Sequence, residues 1–272
     1  MTEIQTDKGA TAALAATKSE VATPPKGTLA AMLLASKTSI EAALPRGISA
    51  DRFVRIVQTE LRRTPKLAQT SPASFLGAVL TSAQLGLEVG PALGQSYLIP
   101  YRNHGVDETQ LIIGFRGWLA LIHRGGQIAS IDAREVHEND MFDYQYGDES
   151  YLKHKPAKGD RGPVTDYYCV AKTKNGGRTF EVMSRAEVEK HRDRYAKKVN
   201  GEIKGPWATH FDEMALKTVF SRVRKWLPSS TEQQLAASVD EGIVIRTNIN
   251  DEPEVTYIDV DPETGEVIGG DE

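Results

Sequence analysis

The sequence predicts an α+β fold, with helices first, antiparallel β-hairpins in the middle and helices last. Three observations predict it. Residues 49–63 and 71–86 repeat apolar side chains at helical spacing, residues 96–183 hold short β-rich runs, and 205–228 returns to the helical period.

From Thr28, the residues Leu29, Met32 and Leu33, then Ile40 and Leu44, predict helical packing up to the Pro45-Arg46-Gly47 break. Ser49 caps a helix carrying Phe53, Ile56, Val57 and Leu61, which Pro65 ends; its outer face bears Arg52, Arg55, Arg62 and Arg63. Ser71-Pro72 repeats the start signal ahead of Phe75, Leu76, Val79, Leu80 and Ala83, and Gly86 suits a C-terminal cap. The period then changes. Residues 96–101 and 109–115 read as a hairpin across a polar loop, 102–108. A short helix, 117–124, closes at Gly125-Gly126 before a β-rich stretch over 127–146. A second hairpin, 166–173 with 178–183, turns through Lys174-Asn175-Gly176-Gly177, where glycine supplies positive φ. Ser184 and Glu187 form a capping box for a helix ending near Tyr195, and a Gly- and Lys-containing loop, 197–204, follows.

The stretch 205–228, GPWATHFDEMALKTVFSRVRKWLP, reads as one helix opened by Pro206 and stopped by Pro228. At about 100° per residue, Ala215, Leu216, Val219, Phe220, Val223, Trp226 and Leu227 share one side. His210, Lys217, Arg224 and Lys225 gather opposite, with Ser221 among them and Trp207 at their N-terminal end. His210, Lys217 and Arg224 are seven apart and stack into a row. That row suits a repeating line of negative charge, although periodicity alone favours a solvated basic face on a core helix.

Charge is divided unevenly along the chain. The 272 residues sum to −4, yet 232–272 hold 12 acidic residues against Arg246 alone. This leaves 32 basic and 25 acidic residues in 1–231, a net of +7. A basic body with an acidic tail points to a polyanion partner, as well as to simple solubilisation. We divide the chain into a disordered arm (1–28), a core (29–231) and an acidic, mostly disordered tail (232–272). No apolar run reaches a membrane span, no secretory signal opens the chain, and the lone Cys169 fits a reducing cytoplasm as buried filler.

Several chemistries are missing. No GxxxxGK[ST] loop, GxSxG elbow or zinc-spaced His/Cys set occurs, so no cofactor is expected and the chain reads as a binder rather than an enzyme. The acidic group Glu135, Glu138, Asp140 and Asp143 suggests a metal-dependent nuclease, but it lacks a partnered lysine and fits a solvated loop better.

The segments QLGLEVGPALGQSYLIPY (84–101), QLIIGFRGWLALIHRGGQIASI (110–131), TFEVMSRAEVE (179–189) and 205–228 resemble, in this order, the RecT family. These are phage-encoded single-strand annealing recombinases akin to the beta protein of phage lambda, and the resemblance spans about 29–230. It implies an ATP-independent protein that coats single-stranded DNA and anneals it to a complementary strand. It further implies a ring or helical filament, an annealed duplex intermediate, a bacterial cytoplasm, and a basic groove between a β-hairpin and the C-terminal helices. A phage exonuclease and the host single-strand-binding protein are expected partners of the tail. Arg116, with Gly114 and Gly117 in GFRG, and Lys217, Arg222 and Lys225 match positions that the family keeps basic. Many relatives carry two arginines where this chain has Ser221-Arg222, and an apolar residue in place of Arg224.

On that basis Arg116, Lys172, Lys174, Lys217, Arg222, Arg224 and Lys225 are expected phosphate contacts. Trp207, Thr209 and His210 offer backbone contacts and a stacking surface, Tyr101 a second ring, and Lys197 and Lys198 a loop contact. The competing functions are a passive single-strand-binding protein, the nuclease, and a virion protein that only polymerises.

Overall fold

The computed structural model describes residues 27–103, 105–196, 198–240, 243–246 and 254–257, the last two segments as backbone strands. Its architecture is α+β, as the period changes predict. The expected N-terminal helix is two, α1 (Leu29–Ala35) and α2 (Lys37–Ala43), separated at Ser36. Ser49 caps α3 (Ala50–Arg63) by accepting from the Arg52 N–H at 3.4 Å. A 3₁₀ turn over Pro65–Gln69 leads to α4 (Pro72–Leu85), which ends at Gly86 in the left-handed region, φ 59°.

Helix α4 is apolar or small on nearly every side, the mark of a helix surrounded by protein. It packs against α1 and α2 and against the hairpin of β1 (Ser96–Asn103) and β2 (Val106–Ile113). Its buried hydroxyls are satisfied: Ser82 donates to the Leu87 carbonyl at 2.7 Å, and Ser74 accepts from the Thr109 N–H at 2.9 Å. The hairpin is tighter than the expected 102–108 loop, since Asn103 already pairs with Val106. After it comes α5 (Phe115–Arg124).

The middle section contains β3 (Ile128–His137), the hairpin β4 (Met141–Gln145) and β5 (Tyr151–Lys155), then β6 (Val164–Thr173) and β7 (Arg178–Ser184). Strands β3, β6 and β7 form one antiparallel sheet in that order. Side chains alternate across it. Tyr167, Cys169, Ala171 and Met183 are buried with the main core, while Tyr168 and Phe180 face the β4–β5 hairpin. There Phe142 stacks on Tyr168 at 5.7 Å and Tyr146 on Phe180 at 5.0 Å.

The capping box of α6 (Arg185–Tyr195) forms as expected. A two-rung ladder, β8 (Lys198–Val199) with β9 (Glu202–Ile203), precedes the C-terminal helices. Here the expectation of one long helix fails. The chain makes α7 (Pro206–Thr209) and α8 (Phe211–Arg224), broken at His210 with φ −139° and ψ 55°. The break turns Trp207 inward, 5.9 Å from His191 and 5.8 Å from Phe211, and takes His210 out of register with Lys217 and Arg224. Helix α8 then lies on the β3-β6-β7 sheet.

Residues 232–240, within the acidic tail as bounded above, belong to α9 (Thr231–Asp240). Its Gln233, Ala236 and Val239 are buried, and the helix packs on α4 and α5. Strands β10 (Ile243–Arg246) and β11 (Glu254–Tyr257) pair antiparallel. The arm before Gly27 and the tail beyond Tyr257 lie outside the described residues. Among the described residues, no helix is long and apolar enough to cross a membrane.

Candidate nucleic-acid interface

The GFRG segment owes its shape to its glycines. A Cβ on Gly117 would stand 2.1 Å from the Gln95 carbonyl oxygen, and one on Gly114 would stand 2.4 Å from that of Gly94. Both obstacles are backbone, so only glycine lets the first turn of α5 press on the 94–95 turn. Arg116 is carried out to solvent there, its Cδ beside Gly94. Its neighbour Phe115 meets Phe220 of α8 edge-on at 4.7 Å. Phe115 and Phe220 also line a narrow cleft with Lys217, Ser221 and Asp240. The structure thus brings the first turn of α5, bearing Arg116, next to the Lys217 face of α8.

Arg222 is half-buried on another flank of α8. It lies towards α6, where Glu187 is held below the usual carboxylate range by the Ser184 N–H and hydroxyl, with the Arg222 charge adding to them. Lys217 and Arg222 therefore do not share one face.

Arg224 is no surface cation. Its Nη1 donates to Asp240 Oδ2 at 2.7 Å, and its guanidinium lies 3.5 Å from the centre of the Trp118 ring. The Arg224 and Asp240 side chains are only 11% and 9% exposed. Burial pushes the Asp240 carboxyl up, against the pull of Arg224, Lys217 and the Trp118 indole. In this arrangement the cation that was expected to contact phosphate ties α9 to α8 through an internal ion pair. The partner lies sixteen residues downstream, in a stretch that composition assigns to the tail.

The aromatic expectations change too. Trp207 is 3% exposed and offers no open face for stacking. The Tyr101 hydroxyl donates across the hairpin to Glu108 at 2.8 Å, which leaves the ring half-buried. Trp226, assigned to the apolar side by periodicity, is 73% exposed, because α8 ends at Arg224 and the helical angle no longer applies. Lys225 beside it is exposed.

The remaining cations scatter. Lys172 and Lys174 are exposed at the β6–β7 turn. The Lys174 N–H donates to the Gln127 carbonyl at 2.8 Å, just after the Gly125 that packs on Gln233 of α9. Gln233 lines one cleft with Lys225. Lys198 donates to the Asp193 carbonyl at 2.7 Å, and Thr209 and His210 are exposed and bonded to each other at 2.7 Å. Lys197 lies outside the described residues.

Of the acidic group suspected of holding metal, Asp140 is otherwise engaged. Asp140 is enclosed and accepts from Arg161 at 2.5 and 3.1 Å, His154 at 3.0 Å, and the Ala157 and His137 N–H groups at 2.8 and 3.0 Å. Arg161 foremost holds its carboxyl far below the usual range. Among the described residues, no group of three His, Cys, Asp or Glu could hold a metal ion. Burial pushes the Cys169 thiol up to about 12, so it is inert as a nucleophile.

The α+β body thus carries exposed Arg116 on α5, partly exposed Lys217 on α8, and exposed Lys172 and Lys174 at a β-turn. The RecT family model matches residues 51–256, and the chain belongs to that family. It is 46% identical over 209 residues to "Protein RecT" of Escherichia coli strain K12, covering 75% of this chain and 76% of that protein. It is 28% identical over 213 residues to "Uncharacterized protein YqaK" of Bacillus subtilis strain 168, covering 78% and 72%. Membership places the chain among single-strand annealing proteins of DNA recombination.

Proposed function

We propose that the chain oligomerises on single-stranded DNA and anneals complementary strands without a nucleotide cofactor. Two approaching strands repel through their phosphates, so the protein must neutralise the backbones and leave base edges open. In this reading Arg116 and Lys217 meet phosphates on the α5–α8 side, and Lys225, Lys172 and Lys174 do so around α9. Arg222, Thr209, His210, Lys197 and Lys198 supply further backbone contacts, in a groove between a β-hairpin and the C-terminal helices. Subunits add as a ring or helical filament, and the tail meets an exonuclease or a host single-strand-binding protein. The observation that carries the reading is the cleft shared by Lys217 of α8 and Phe115, the neighbour of exposed Arg116 in the first turn of α5, inside the segment matched to the family. The test is pairing of complementary oligonucleotides without ATP. Acceleration over protein-free strands supports annealing, whereas protection without acceleration leaves a passive single-strand binder.

A further inference from the structure

The turn after α8 holds one indole in water between two anchors. On one side Arg224 is fixed by Asp240 and Trp118; on the other Leu227 is buried, its N–H donating to the Arg224 carbonyl at 3.1 Å. The Trp226 N–H donates to the Val223 carbonyl at 3.0 Å, and Pro228 prevents the helix from continuing. The backbone beneath Trp226 is thus held, while its ring is the most exposed large hydrophobic side chain among the described residues.

We propose that Trp226 is a base-stacking residue, on which an unpaired nucleobase of single-stranded DNA lies while the neighbouring phosphate meets Lys225. This rests on the single-strand-binding reading above and adds a contact to it. Three observations favour a base over a protein partner. The one exposed large apolar side chain here is the Trp226 ring, flanked by exposed Lys225, Pro228 and Ser229, whereas a protein contact needs a wider contiguous apolar patch. The adjoining cleft carries Lys225 and Ser229 as polar donors beside Trp118, Leu227 and Ala237, while the Gln233 amide is held by the Leu121 carbonyl. Its one carboxylate, Asp240, is already paired with Arg224 and so does not repel a phosphate. A stacked base tolerates any sequence, as a protein that coats arbitrary strands requires.

The chain carries its own probe. Trp118 and Trp207 are 5% and 3% exposed, so acrylamide quenching reports chiefly Trp226. Oligo(dT) should quench the wild-type emission and shield it from acrylamide. Trp226→Phe should lose both signals yet bind nearly as tightly by fluorescence anisotropy, since phenylalanine still stacks. Trp226→Ala should bind about tenfold more weakly, with an unchanged salt slope. An abasic oligonucleotide of equal length should bind wild type and Trp226→Ala alike. Equal oligo(dT) affinity of wild type and Trp226→Ala would overturn the proposal, as would emission indifferent to oligo(dT). So would a Trp226→Ala effect confined to self-association in the absence of DNA, which marks a subunit contact. Failure of the wild type to bind any single strand would instead overturn the reading beneath it.

Discussion

Removing Asp240 separates a structural Arg224 from a DNA-binding one. Asp240→Ala leaves the guanidinium over Trp118 with no acceptor, in a site where its side chain is 11% exposed. A guanidinium cannot shed its charge, and breaking a buried pair this way costs about 3–5 kcal/mol. Because Arg224 keeps the Trp118 face, we expect the lower end, about 3 kcal/mol, in urea denaturation. The converse variant, Arg224→Met, should behave differently. It leaves a carboxyl that burial already pushes up and that can take a proton. The raised group stabilises fully below its unfolded value of about 3.9 and loses that contribution as pH rises through its folded value. Arg224→Met should therefore cost less at pH about 5 than at about 8. Neither variant should change the salt slope of single-strand binding. A slope reduced by about 0.7 in Arg224→Met, together with a stability loss under about 1 kcal/mol, would make Arg224 a phosphate contact and refute this reasoning.

Asp140→Asn should loosen the β4–β5 hairpin, read as faster hydrogen exchange over 141–155, without altering DNA affinity. In the wild type that anchor is complete above the unfolded carboxylate value of about 3.9 and is lost as pH falls through the depressed folded value. Gly117→Ala should destabilise by about 1–3 kcal/mol and weaken single-strand binding as well, because its Cβ meets the Gln95 carbonyl at 2.1 Å. Ser184→Ala should cost about 1 kcal/mol by melting temperature and leave DNA binding unchanged, since it removes only the α6 cap.

Local chemistry made the helix starts legible. Ser49, Ser71 and Ser184 cap the helices that their sequences announce, and Gly86 takes the left-handed turn its position suggests. At His210 and Ser221, tertiary contacts override a local period. Apolar spacing runs smoothly through His210, yet packing of Trp207 against His191 and Phe211 breaks the helix there. Ser221 sits among cations on a helical wheel but is buried, because α8 is flanked by both the sheet and α5. Helix α9 was hidden by its composition, with Ala236 and Val239 as its buried apolar residues and Gln233 held by the Leu121 carbonyl. With α9 in place Arg224 has a partner, while Lys225 and Trp226 stand exposed in the turn after α8. For the candidate site, residue types were readable from the sequence, but which cations reach solvent was decided by long-range pairing.

The most direct test measures single-strand affinity and ATP-free annealing together, across a salt series, for the wild type and the double variant Arg116→Gln with Lys217→Gln. The account predicts a log–log salt slope shallower by about 1.4 in the variant, with annealing slowed in step. An unchanged slope with full annealing would contradict it, and would place the phosphates on some other surface of the protein.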